Sequence, residues 1–535
     1  MADIQQIASD VLDKGDRFLR VDDYEARMDY FAQELEKLDP SARAALFDEV
    51  LEQDSGAPMS WLTTERLDTL VSEGRITSQE RSAVMDAFGQ AYVDGDIDLV
   101  EALQFTNIFG SGAIGPMGMM SPASDQLEAL MQTLTESNSS YSSEFIEKFA
   151  SDVLTQRVLA EPTMFSPTEQ GAYVGVLLNA LSQSGGSTAV HNVVSQLSPE
   201  QQSAVRSAAG GEGLTFGNPA YDGAGVRDPM AILTEAVSRH GTSAEVLDLV
   251  KYAGAHSSGN VLENQFLDHD NKPYDQRAEA LGELFETHSA TILSDLTVAN
   301  PTQTSGSSND RATVVGDNLA ALSNLVRLTG LNPDNSHSAA VMSALGDFSS
   351  ENIRVGNMAE NTDANGDGRI DDADIQAIDT GNGRTAMIGA VLQDAVSSGY
   401  VDLRADQAAR EAFLGFVIDV AVSAIPVGGK FAGKAITEQV SAALGGLNEQ
   451  ARSAITDALA AIPTKLLTDA QGQLTAEAKK AIIDALPTDY QYLEGIKEQS
   501  NGFIENTILG STVRDYQITE SISDYRGYID NSKGR

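Results

Sequence analysis

The sequence predicts an all-α protein of stacked helical hairpins, or a solenoid-like multi-domain bundle, on three observations. Apolar residues recur at helical spacing: Leu281, Leu284, Phe285, His288 and Ile292 form one stripe, and Val315, Leu319, Leu322 and Val326 another. Helix starts are spelled out at Ser166-Pro167-Thr168-Glu169 and Ser198-Pro199-Glu200-Gln201, where a hydroxyl caps, Pro takes the first turn and an acid or amide follows at the third position. Strictly alternating β-branched runs are scarce, so any sheet is minor. His288 sits on an apolar stripe, where a hydrogen-bonded core histidine is expected rather than a ligand.

The elements follow in order. Residues 1–108 read as an N-terminal helical domain punctuated by Gly74-Arg75-Ile76-Thr77 and Gly95-Asp96-Ile97-Asp98. In each, Gly ends one helix in the left-handed conformation, the aliphatic residue staples, and Thr or Asp caps the next helix. A Gly- and Met-rich linker is expected over 109–124, then a central helical domain over 125–299 with a long Gly-rich loop at 210–229. A second linker covers 300–311. A helical segment, 312–400, carries Gly368-Arg369-Ile370-Asp371, and a C-terminal helical domain, 401–535, holds an apolar hairpin at 412–436. Gly399-Tyr400-Val401-Asp402 and Gly472-Gln473-Leu474-Thr475 repeat the same punctuation at irregular spacing, which argues for hairpins without a true repeat.

Composition sets limits on function. The 535 residues are enough for roughly three or four domains. Asp and Glu number 78 against 35 Lys and Arg, a formal charge of −43. Such a chain repels nucleic acid and anionic membranes at long range and attracts cations and basic partners, and it also keeps itself dispersed. With no cysteine, disulfides and thiolate metal sites are excluded. The first ten residues lack the basic and apolar regions of a secretory signal, so export is expected to use another route. The apolar run 412–429 contains Asp419 and Pro426 and reads as buried core, so membrane contact is not favoured.

One motif carries specific chemistry. Asp363, Asn365 and Asp367 place hard oxygens at positions 1, 3 and 5 of a twelve-residue loop, and Gly368 allows its sharp turn. Arg369 supplies a carbonyl, Asp371 coordinates directly or through water, and Asp374 closes the loop where a bidentate Glu is usual. The pattern is that of an EF-hand calcium loop, so Ca2+ is the expected cofactor. Residues 350–361 predict a poor entering helix and 371–380 a short exiting one. That asymmetry resembles the lone calcium loops of bacterial extracellular modules such as dockerins.

Other strings are weaker. Asp94, Gly95 and Glu101 repeat the second half of such a loop, but Gln90 and Tyr92 stand at its first positions, so a capped helical turn is expected. The cluster 268–271 reads as a turn. Gly110-Ser111-Gly112 opens no helix, and Gly428 to Lys434 fits a phosphate loop until Ala435 replaces the hydroxyl residue. No HExxH or GxSxG occurs, and acid–base chemistry has six histidines to draw on.

The stretch 30–88, YFAQELEKLDPSARAALFDEVLEQDSGAPMSWLTTERLDTLVSEGRITSQERSAVMDAF, resembles helical regions of bacterial polymorphic toxins and secreted effectors, as does IPVGGK at 425–430. The segment 413–436 is similar to helical hairpins of membrane-active toxin regions. These likenesses imply synthesis in a bacterial cytoplasm, export or injection by a specialised secretion system, and a protein partner: the secretion apparatus, a chaperone or a target. The expected function is a calcium-binding effector-like interaction or delivery scaffold. Two alternatives stand beside it. One is an enzymatic toxin or hydrolase with its site in 401–535, lined by Tyr490, Tyr492, Tyr516, Tyr525 and Tyr528; the other is a calcium-stabilised surface or matrix protein.

Overall fold

The computed structural model describes residues 4–14, 21–54, 61–106, 130, 134, 141–160, 167–210, 227–256, 272–298, 308–332, 335–358, 362–397, 407–423, 433–443, 447–463, 466–468, 474–486 and 515–533. The described residues are 82% helical and contain no strand, so the fold is all-α. A lone antiparallel bridge joins Thr468 to Leu474. The chain divides into two compact units, 1–236 and 237–535.

The first unit runs through α1 (Ile4–Leu12), α2 (Val21–Glu36), α3 (Pro40–Gln53), α4 (Thr64–Ser72), α5 (Ser78–Asp94), α6 (Leu99–Phe105), α7 (Ser143–Val153), α8 (Pro167–Ser195) and α9 (Pro199–Gly210). Its core is a relay of rings: Phe31 meets Phe47 at 5.6 Å, Phe47 meets Phe88 at 6.1 Å, and Phe88 stacks on Phe105 at 3.9 Å. Phe145 and Phe149 of α7 continue it. Each such ring buries enough apolar surface to contribute about 1.5–3 kcal/mol. The punctuation reads as expected here. Gly74 and Gly95 adopt φ of 70° and 91°, Ile76 and Ile97 are buried, and Thr77 with Glu80 and Asp98 with Glu101 form reciprocal capping boxes. Ser198 and Gln201 do the same before α9.

The helix α10 (Pro229–His240) spans the division between the units. The second unit continues with α11 (Ser243–His256), α12 (Lys272–Leu296), α13 (Ser308–Thr329), α14 (Ser338–Gly356), α15 (Asp372–Ser397), α16 (Gln407–Ser423), α17 (Gly433–Ala443), α18 (Glu449–Ala460), α19 (Ala476–Ala485) and α20 (Asp515–Lys533). Helix α14 lies against α12, α15 and α16; α20 lies against α13 and α15; α17, α18 and α19 form a layer on α16. The two predicted stripes bury Leu281, Leu284, Phe285 and Ile292 on α12 and Leu319, Leu322 and Val326 on α13. His288 breaks α12 with φ −118° and ψ 19°; it is half-buried rather than in the core, and its Nε2 lies 2.8 Å from the Ser238 carbonyl oxygen.

The linker 109–124 and residues 211–226 of the Gly-rich loop lie outside the described residues. The second linker was expected to reach 311, yet α13 already begins at Ser308. Of the apolar hairpin 412–436, residues 412–423 belong to α16 and 433–436 to α17, and those between lie outside the described residues. Among the described residues no helix is long and apolar enough to cross a membrane.

Candidate metal centre

The loop 363–374 joins α14 to α15, and its shape is written in short-range hydrogen bonds. Gly366 and Gly368 adopt φ of 78° and 83°, a region closed to most side chains. Those two turns aim backbone N–H groups inward. Asp363 Oδ1 accepts from Gly366 at 2.9 Å and Oδ2 from Gly368 at 2.9 Å. Asn365 Oδ1 accepts from Asp367 N–H at 2.9 Å, Asp367 Oδ1 from Arg369 at 2.8 Å, and Asp371 Oδ1 from Ala373 at 2.9 Å.

Asp374 closes the ring from the far end. Its Oδ1 accepts from Ala364 at 2.7 Å and Asn365 at 3.1 Å, and its Oδ2 accepts from Asp371 at 2.8 Å. The residue is fully buried while its neighbours Asp371 and Asp372 are exposed. The N–H donors of Asp371, Asn365 and Ala364 hold its carboxyl below the ordinary carboxylate range, because they favour the charged form. All six expected ligand residues are therefore gathered in one loop.

Their side chains are turned onto the loop's own backbone. Among the described residues no three His, Asp or Glu side chains converge in a way that would hold a metal ion. The donor set is nevertheless that of a hard cation: four carboxylates, one amide oxygen and the Arg369 carbonyl. A carboxylate offers about four lone-pair sites, so an oxygen that accepts one N–H retains capacity for an ion.

The flanking helices differ from expectation on both sides. Helix α14 continues to Gly356, because Ser349, Ser350, Asn352 and Ile353 are buried along its inner face. Helix α15 runs 26 residues to Ser397 instead of stopping near 380. The sequence T-G-N-G at 380–383 reads as a helix end, but Gly381 marks close approach: a Cβ there would sit 2.8 Å from the Asn352 carbonyl oxygen. Ile370, expected as a staple, is 63% exposed.

The other strings resolve as follows. At 90–101 the first positions are helical: Tyr92 is buried with its hydroxyl donating to Asp152 at 2.6 Å, and Gln90 donates to Asp94 at 2.9 Å. Asp98 and Glu101 are spent on a cap, as expected. The clusters 268–271 and 110–115 lie outside the described residues, and Gly433 and Lys434 open α17. Tyr525 and Tyr528 pack edge to face at 6.0 Å, and burial pushes the Tyr525 hydroxyl up; Tyr490 and Tyr492 lie outside the described residues, and Tyr516 falls in the first turn of α20.

Two groupings carry no local signature in the sequence. His337, before α14, places Nδ1 2.6 Å from Glu286 and Nε2 3.6 Å from Glu279. Asp419 of α16 pairs with Lys479 of α19 at 2.7 Å. Residues so far apart in the chain meet only through the tertiary fold. Comparison with protein-family models, curated proteins and solved structures found no match to this chain.

Proposed function

We propose that the protein is a calcium-stabilised helical scaffold that binds one ion through Asp363, Asn365, Asp367, the Arg369 carbonyl, Asp371 and Asp374. The observation that supports this most is the run of backbone N–H bonds to the oxygens at loop positions 1, 3, 5, 9 and 12, which orients every acidic ligand before an ion arrives. Four carboxylates confined to one loop repel each other, and a divalent cation relieves that repulsion. Binding draws the exposed side chains of Asp363, Asn365, Asp367 and Asp371 toward the buried Asp374.

The short Asp374 side chain and the single loop place affinity on the order of 10⁻⁵ to 10⁻³ M, weaker than cytosolic sensors. The ion is then lost inside a bacterium and gained outside, which fits a secreted or injected effector-like protein whose helical body engages another protein. The test is calorimetric titration of calcium into wild type, Asp363→Ala and Asp367→Ala. Wild type binds one ion and both variants lose at least tenfold in affinity; an unsaturable wild-type titration, or variants that bind as well, overturns the reading.

A further inference from the structure

Helix α16 is strongly apolar, yet its buried face carries one carboxylate. Asp419 is 8% exposed and is flanked along the helix by buried Phe413, Phe416, Val417 and Val420. On one side it presses on α14, where a Cβ at Gly346 would come within 3.0 Å of its Oδ2. On the other side Lys479 Nζ of α19 donates to the same oxygen at 2.7 Å. The partner is less deeply held, for the Lys479 side chain is 19% exposed.

The layer to which Lys479 belongs has its main attachments at α16. Helices α17 and α19 pack on α16, while α18 packs on α17 and α19. The Asp419 pair thus lies at the seam between an apolar helix and its cover. Two charged groups from the neighbouring elements bear on Asp419: Lys479 from α19 and Asp347 from α14. Lys434 of α17 pairs with Glu438 at the surface, and Lys480 of α19 pairs with Asp484. Glu351 and Arg354 of α14 pair with each other.

We propose that α17–α19 form a proton-linked cover on α16, with the buried Asp419 carboxyl as the titrating group at its seam and Lys479 as a partial offset: the cover seats most firmly when Asp419 is neutral and opens more often when it is charged. The physical reason is desolvation. A carboxylate taken out of water loses more hydration than one partly exposed lysine restores, so the seated state favours the protonated acid. Burial pushes the Asp419 carboxyl up to about 6 from 3.8, Lys479 opposes that rise, and Asp347 adds to it.

The sign follows by linkage. A carboxyl with a raised value in the seated state stabilises that state fully below 3.8, and the contribution is lost as pH rises through about 6. Acid therefore closes this seam, the reverse of an acid-triggered release of the apolar helix. Opening should increase about tenfold between pH 5 and pH 7.

The test is hydrogen exchange of the amides of 407–423 and 476–485 in the full chain at pH 5 and pH 7, corrected for intrinsic rates. Asp419→Asn is expected to remove the pH dependence and to keep opening at pH 7 at or below the level wild type shows at pH 5. Lys479→Met leaves the carboxylate without its cation and should raise opening at pH 7 at least tenfold over wild type. The proposal is overturned if wild type opens more at pH 5, or if Asp419→Asn retains the wild-type pH dependence. Should Lys479→Met fail to fold, the two pH values of Asp419→Asn decide the matter alone. The outcome is independent of calcium binding at 363–374, so the two readings fail separately.

Discussion

Asp374 is where a single side chain does most to shape its surroundings. Its two oxygens take three backbone N–H groups, from Ala364, Asn365 and Asp371, and so fix both ends of the loop. Because its folded value lies below the ordinary 3.8, the stability it contributes is fully present above that value and is lost as pH falls through the lower, folded one. Exchange of those three amides should stay slow as a sample is acidified to the ordinary carboxylate range and quicken only beneath it. Loss of protection already near pH 5 would contradict this. Asp374→Ala should free all three amides and abolish saturable calcium binding. The sequence identified Asp374 as a loop-closing acid, but its grip on the backbone depends on φ at Gly366 and Gly368, which spacing alone does not specify.

At the level of elements, local chemistry was legible and long-range chemistry was not. The Gly95-to-Asp98 turn is a case of the first kind, since Gly, Ile, Asp and Glu101 act within a few residues of each other. Asp98→Ala should cost about 1 kcal/mol in urea unfolding through loss of the cap. Gly95→Ala should cost about 1–2 kcal/mol from positive φ alone, because a Cβ there meets nothing within 4 Å. Neither substitution should alter calcium stoichiometry; a change would revive 90–101 as a second ion site. The end of α15 is a case of the second kind. Glycines that signal a stop in an isolated helix become contact residues once α14 lies against them, and tertiary burial overrides propensity.

For the whole molecule, calcium and charge set the expected behaviour. A ligand that binds only the folded form at a hundredfold excess over its dissociation constant adds about 2.7 kcal/mol. Thermal melts should therefore shift upward in calcium and return in chelator, with the shift absent from Asp363→Ala. The formal charge of −43 opposes approach to anionic lipid, and Asp419 interrupts the apolar helix α16. Neutral and anionic vesicles should retain dye at micromolar protein and neutral pH; leakage would contradict this. A kinetic consequence belongs to α20. Ser308–Thr329 and Asp372–Ser397 share a wall supplied by Asp515–Lys533, a helix far along the chain from the first of them. Such a seam closes only after a long chain segment has been recruited, so refolding of 237–535 should end in a slow docking phase. Substituting buried Ile522 or Ile529 by Ala should speed the reverse step, unfolding, far more than it slows early collapse.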